Sequence, residues 1–119
     1  MSQKNYETVF IVNPVLSEQQ IKDTVAKFKS LVSDHGGDLY HTEDWGLKKL
    51  AYAINNKTTG YYNLFEFKAD PSFIKAWETE FRRDENVIRQ ITVHLDRYAL
   101  EYAEKRRKKG FNKKEEAAS

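Results

Sequence analysis

Hydrophobic and polar residues follow two different periods along the first 95 residues. Apolar residues at helical spacing predict a helix that starts after Ser17 and ends near Gly36-Gly37, and a second that opens at Asp70-Pro71 and ends near Arg83. Short runs rich in β-branched and aromatic residues predict strands near residues 6–12, 38–54, 61–67 and 87–95. The pattern therefore predicts the order β-α-β-β-α-β.

This order is typical of an α+β, ferredoxin-like βαββαβ sandwich, a four-stranded antiparallel sheet with two helices on one face. Right-handed crossovers place the first strand beside the third and the fourth strand at an edge. Glycine at Trp45-Gly46 predicts a bulge or bend in the second strand. We expect one domain over residues 1–95, followed over 96–119 by a short helix and a basic, flexible tail.

The net charge of +2 conceals an uneven distribution. Residues 1–95 carry 12 Lys and Arg against 13 Asp and Glu, whereas residues 96–119 carry 8 against 5. The body is therefore not a generally basic nucleic-acid binder and would need local patches. There is no cysteine, which excludes disulfides and thiolate metal sites. The chain shows neither an apolar run near the ~20 residues of a membrane span nor a signal peptide.

The sequence offers no recognisable catalytic or metal-binding pattern. His35, His41 and His94 lack the spacing of metal ligands, and no glycine-rich phosphate loop is present. The same fold hosts acylphosphatases, but the loop over residues 13–17 has neither the glycine nor the arginine of a phosphate cradle. We therefore predict no catalytic residue, metal or cofactor, and no small-molecule substrate.

The fold is also the frame of the RNA-recognition motif, in which aromatic residues on the open sheet face stack bases. Both faces of the first and third strands are apolar, so the open face stays undecided at this stage. If Phe10, Val12, Phe65 and Phe67 face the helices, the open face presents Glu7, Val9, Ile11, Tyr62, Leu64 and Glu66. That mixture suits a protein partner better than RNA bases, and the aromatic-basic RNA-recognition pattern is absent.

Four separated blocks carry a family resemblance. They are Tyr6-Glu7 with Asn13-Pro14; Gly37; Glu43-Asp44-Trp45-Gly46 with Leu50-Ala51-Tyr52-Ala53-Ile54; and Phe81-Arg82 with Asp84 and Val87-Ile88-Arg89. Together they resemble the bacterial small-ribosomal-subunit protein six family. One departure is Ala53, where the family usually has proline, and we expect it to let that strand pair more regularly.

The resemblance implies a structural component of the 30S ribosomal subunit, cytoplasmic and ribosome-bound, with no enzymatic activity. Members of the family bind the central domain of 16S rRNA together with small-subunit protein eighteen, with which they form a heterodimer. Other 30S components are further expected partners. No membrane, cofactor or small-molecule substrate is implied.

Charge and apolar surface are separated along the chain, which suggests two sets of contact residues. The predicted partner-protein contacts are Leu50, Tyr52, Ile54, Tyr62 and Leu64. The predicted rRNA contacts, all cationic and suited to phosphate, are Lys4, Lys48, Lys49, Arg82, Arg83, Arg89 and Arg97. The basic run over residues 105–114 is either a further RNA contact or a solubilising appendage.

Overall fold

The computed structural model describes residues 3–54 and 56–106. In chain order the elements are β1 (Lys4–Val12), α1 (Glu18–Asp34), β2 (Asp38–Ile54), β3 (Lys57–Ala69), α2 (Phe73–Arg83) and β4 (Val87–His94). A third helix, α3, follows over residues 97–106. The predicted βαββαβ order is confirmed. The predicted basic tail lies outside the described residues from position 107 onward.

The four strands form one antiparallel sheet in the order β2-β3-β1-β4. The first strand therefore lies beside the third and the fourth lies at an edge, as the crossover rule predicts. Because β2 and β3 are long and adjacent, their hairpin extends along one side of the sheet and its tip reaches the end where β4 begins.

An aromatic core joins α1 and α2 to one face of the sheet. Phe28 of α1 stacks on Phe81 of α2 with ring centroids 3.9 Å apart, and Trp77 meets both rings edge-on. The buried indole of Trp77 donates a hydrogen bond of 2.9 Å to the hydroxyl of Thr8, so its polar atom is satisfied. Phe10 of β1 packs in the same cluster.

The core settles which sheet face is open. Phe10, Val12, Phe65 and Phe67 all belong to the cluster beneath α1 and α2. The alternate residues of β1 and β3, from Glu7 to Ile11 and from Tyr62 to Glu66, therefore point to the opposite face. We call that opposite side the open face.

The helix ends follow local sequence signals. Ser17 and Gln20 form a capping box, with bonds of 3.2 Å from the Gln20 amide and 2.9 Å from the Ser17 amide. Helix α2 begins at Phe73, slightly later than predicted. The reason is that the Asp70 carboxylate accepts bonds from the amide and hydroxyl of Ser72, which form a turn before the helix.

Strand β2 shifts register with β3 at three places, the first between Leu39 and His41. The next shift lies between Asp44 and Gly46, where Gly46 has a φ of +73°, so the predicted bulge is confirmed. The third shift separates Lys49 from Ile54. The expectation that Ala53 permits more regular pairing is therefore wrong. The reason is that four residues of β2 stand opposite one residue of β3 there, and the hairpin tip bends out of the sheet.

Candidate functional site

Over residues 90–93, strand β4 reverses the usual polarity of a sheet with one open side. Gln90 and Thr92 face the helices: the Thr92 hydroxyl lies 2.7 Å from that of Thr8, and Gln90 reaches Glu78. Ile91 and Val93 face outward and are 51% and 45% exposed. A solvated sheet face normally carries the polar set. Apolar side chains exposed together on a rigid sheet are typical of a surface that another macromolecule covers.

The bent hairpin tip turns part of the open face into a groove of about 280 Å³. The groove crosses all four strands. It is lined by Val9 and Ile11 of β1, Leu50, Ala51, Tyr52 and Ile54 of β2, Tyr62 of β3, and Arg89 and Ile91 of β4. We call this the groove, and the part of the open face that contains it the groove end.

Gly60 makes the groove possible. A Cβ at Gly60 would lie 2.2 Å from the Cγ2 of Ile11 and 3.4 Å from a Leu50 methyl carbon. No side chain fits there without a shift, because real Cβ atoms essentially never approach to 2.2 Å. The missing side chain lets Leu50 fold down over Ile11, and both residues are buried.

Arg89 and Tyr52 come from the two edge strands of the sheet and meet across the groove. The two residues belong to β4 and β2, which are separated by β1 and β3. The Arg89 guanidinium donates a hydrogen bond to the Tyr52 hydroxyl, and its central carbon lies 5.9 Å from the Tyr52 ring centroid. Within residues 3–54 and 56–106, Arg89 makes no ion pair with a carboxylate.

The other part of the open face holds three glutamates around Arg106. The Arg106 guanidinium lies 3.3 Å from a carboxylate oxygen of Glu7, 3.3 Å from one of Glu43 and 3.4 Å from one of Glu66. Glu66 is fully buried and the Arg106 side chain is 19% exposed. Because these glutamates belong to β1, β2 and β3, the end of α3 lies over the open face. We call this region the acidic end.

Glu43 is held as a carboxylate by its neighbours. Burial raises the pKa of Glu43, but hydrogen bonds from Trp45 at 2.8 Å and His41 at 2.7 Å and the charge of Arg106 outweigh it, so its pKa lies below the usual range. The ligand atoms of His41, Glu43 and Glu66 lie within 4.8 Å of one another, close enough for a metal ion. Arg106 pairs with both glutamates, however, and so supplies the positive charge.

An aromatic pair lies beside the groove. The Trp45 and Tyr62 rings stack with centroids 6.3 Å apart, and the Lys48 ammonium lies 5.2 Å from the Trp45 ring. Lys48 pairs with Gly60 and therefore points to the open face, whereas the next residue, Lys49, points to the helix side.

The predicted partner contacts fall mostly in one place. Leu50, Tyr52, Ile54 and Tyr62 all line the groove. Leu64 shares the open face but is only 2% exposed, and it offers little surface to a partner.

The predicted rRNA contacts do not form one patch. The strand register brings Val12, Tyr61 and Val87 to the same end of the sheet, close to the last turn of α2. Of the predicted rRNA contacts, those at this end, which we call the tip end, are the exposed residues Lys48, Lys49, Arg82, Arg83 and Arg89. Lys4 and Arg97 lie at the opposite end, where the Leu95 amide bonds to the Asn5 carbonyl.

Sequence reasoning missed two parts of the site. Ile91 was not among the predicted contacts, although its alternation with Gln90 and Thr92 is visible in the sequence. The sequence prediction includes Arg106 only as one positive charge of the basic run over residues 105–114 and assigns it no contact within the fold. Its spacing from Ala99 and Ala103, seven and three residues earlier, places all three on one helix face and is the signal that would have identified it.

Fold and open face together define a ferredoxin-like module that exposes apolar side chains on the side of its sheet away from the helices. Comparison with known proteins agrees: the family model described as "Ribosomal protein S6" matches residues 5–94. The chain belongs to the ribosomal protein S6 family. It is thus a component of the small ribosomal subunit and not an enzyme.

Curated relatives and a solved structure support this assignment. The chain is 56% identical over 105 residues to small ribosomal subunit protein bS6 of Flavobacterium johnsoniae, covering 88% of this chain and 93% of the relative. It is 55% identical over 111 residues to bS6 of Bacteroides thetaiotaomicron, covering 93% and 97%. The crystal structure of 30S ribosomal protein S6 from Thermotoga maritima superposes with a TM-score of 0.78 at 26% identity, covering 89% of this chain and 98% of that one.

No helix among the described residues is both long and apolar enough to span a membrane.

Proposed function

We propose that this chain binds small-subunit protein eighteen through the groove end, and that the pair binds the central domain of 16S rRNA in the cytoplasmic 30S subunit. The observation that carries the protein contact is the reversed polarity of β4, which exposes Ile91 in the groove while Thr92 faces the core. Apolar side chains on a rigid strand, next to a ready groove, favour a protein surface as the occupant.

The rRNA contact is proposed at the tip end. Lys48, Lys49, Arg82 and Arg83 are exposed and project from both layers of the sandwich around that end. Cations of this kind bind phosphates and position a protein without reading sequence. Lys4 and Arg97 form a second, smaller contact at the opposite end. We place Arg89 with the partner contacts, because it lines the groove beside Tyr52.

Base stacking on the open face is the alternative, and the aromatic pair argues against it. An RNA-recognition surface needs aromatic rings with a free face. Here the Trp45 ring is occupied by Tyr62 and by the Lys48 ammonium. The β1 residues that line the groove, Val9 and Ile11, are aliphatic.

The protein contact is tested by comparing the rRNA affinity of this chain alone with that of a mixture of the two proteins. A fragment of the 16S rRNA central domain is titrated with this chain alone and with an equimolar mixture of this chain and small-subunit protein eighteen from the same genome. We expect the mixture to bind far more tightly than either protein alone. Equal affinity for the isolated chain would contradict cooperative binding.

The phosphate contact is tested by salt dependence. The double variant Lys49→Ala, Arg83→Ala should flatten the slope of log affinity against log salt by ~0.7–0.9 for each lost phosphate contact. The matched control is Lys22→Ala, Lys29→Ala, which removes the same charge from exposed positions on α1. A slope that changes equally in both doubles would show that only net charge matters.

A further inference from the structure

We propose that the segment of the partner that enters the groove carries an acidic side chain next to an apolar one, and that its carboxylate takes Arg89 over from the Tyr52 hydroxyl. This inference rests on the proposed function, because it specifies the chemistry of the protein segment that the groove accepts. It makes Arg89 a specificity-determining residue for the partner protein.

The groove suits an apolar side chain of a protein segment. It has a volume of about 280 Å³ and a lining made mainly of aliphatic and aromatic residues. Its floor is aliphatic, built from Val9, Ile11 and Leu50. An anchoring apolar side chain on a protein segment matches both the size and the lining.

The charge around the groove selects an acidic neighbour for that anchor. Arg89 is the charged residue of the lining, and Lys48 lies on the same face nearby. The glutamates of the open face belong to the acidic end, where Arg106 pairs with them. Among the described residues, the groove end therefore presents positive charge without a carboxylate paired to Arg89, and a complementary partner presents negative charge.

The present partner of Arg89 is a neutral group. Tyr52 offers a phenol oxygen and a ring face, neither of which carries a formal charge. A contact between guanidinium and carboxylate joins two opposite charges and can be bidentate, whereas the bond to the phenol joins one charge to a neutral oxygen. Exchanging the phenol for a carboxylate therefore strengthens the interaction of Arg89, and the exposed Tyr52 has room to move away.

The test is calorimetric titration of small-subunit protein eighteen into the full chain and its variants. Arg89→Gln should weaken binding at least tenfold, since a buried charge pair between proteins is lost. Tyr52→Phe should bind equally well or a few-fold tighter, because it removes only the competing hydroxyl. The control Lys29→Gln, which removes an exposed charge on α1, should leave affinity unchanged.

A charge swap then identifies the carboxylate. Arg89→Glu is titrated with variants of the partner in which each acidic residue in turn is replaced by lysine. Recovery of binding at a single position supports the inference, and no recovery at any position overturns it. Thermal unfolding of each variant shows that the fold is retained.

The remaining outcomes separate the inference from the proposed function. If the wild-type chain does not bind small-subunit protein eighteen at all, the proposed function fails and the inference with it. If the wild type binds and Arg89→Gln binds equally well, only the inference is overturned. If Arg89→Gln leaves protein affinity intact and lowers rRNA affinity with a flatter salt slope, Arg89 contacts phosphate and the inference is overturned.

Discussion

The acidic end and the groove end of the open face differ in whether their charged side chains form ion pairs within the chain. At the acidic end, Glu7, Glu43 and Glu66 surround Arg106, so each of these carboxylates has a cationic partner within the chain. At the groove end, within the part of the chain that the structure describes, Arg89 bonds to the neutral Tyr52 beside aliphatic side chains and pairs with no carboxylate. The first arrangement stabilises the fold by itself. The second leaves apolar surface and a cation for another molecule, so the comparison assigns stability to one end and recognition to the other.

Breaking the ion pairs at the acidic end should give the largest effect. Arg106→Met removes a mostly buried guanidinium from three glutamates, one of them fully buried. Removing one partner of a buried pair costs ~3–5 kcal/mol, and we expect about 3 kcal/mol because Arg106 keeps some exposure. Denaturant unfolding measures it. The control Arg97→Met, at an 86% exposed side chain in the same helix, should change stability by less than ~0.5 kcal/mol.

The same contact bears on where the folded unit ends. A boundary after Leu95, with residues 96–119 as a separate appendage, stays a prediction. Because Arg106 pairs with strands β1, β2 and β3, truncation after Leu95 should destabilise the fold about as much as Arg106→Met does. A truncated chain with unchanged stability would instead support the boundary.

Filling the space at Gly60 should damage the groove end with a smaller loss of stability. Gly60→Ala places a Cβ against Ile11 and Leu50, and overpacking of this kind costs ~1–3 kcal/mol. We expect about 2 kcal/mol in the free energy of unfolding, together with weaker binding of small-subunit protein eighteen. Normal stability and normal binding would show that the hairpin tip does not depend on Gly60.

Making the groove polar should affect binding without affecting the fold. Ile91→Ser removes an exposed aliphatic side chain from the groove and should weaken partner binding roughly tenfold, about 1.4 kcal/mol. Leu47→Ser is the matched control, since Leu47 is 60% exposed but pairs with Tyr61 and points to the helix side. Equal losses in the two variants would contradict a role for the open face.

Acid should reveal the smallest effect. The pKa of Glu43 lies below its ordinary range, so its contribution to stability is complete above the ordinary glutamate pKa of ~4.3 and is lost as pH falls through the lower value of the folded state. Denaturant unfolding is measured as the pH is lowered from neutral to below ~4.3. The free energy of unfolding should decrease less for Glu43→Gln than for the wild type. Identical pH profiles would show that Glu43 is not stabilised by its neighbours.

The sequence predicted the fold because its signals are local. The capping box at Ser17, the bulge at Gly46 and the period-two strands each need only a few neighbouring residues. The sequence did not decide which face of the sheet the helices cover, because β1 and β3 are apolar on both sides. Contact of α1 and α2 with Phe10 and Phe65 decides it, and that contact depends on the whole chain.

The candidate site was predictable only in part. Four groove residues belong to strand β2 and to the strand paired with it, so the alternation of side chains along a strand predicted them. They are Leu50, Tyr52, Ile54 and Tyr62. The pairing of Arg89 with Tyr52 joins residues 37 apart in sequence, and that of Arg106 with Glu7 joins residues 99 apart. No local pattern encodes such distances, since they follow from strand order and from the path of α3.

Chemical-shift perturbation by unlabelled small-subunit protein eighteen tests the central claim most directly. The labelled chain carries reporters on both sides of the sheet: Val9, Ile11 and Ile91 at the groove end, and Val25 and Ile74 on the helices. Our account predicts large shifts at the groove end and small ones on the helices. Shifts confined to α1 and α2, with Ile91 unperturbed, would contradict it.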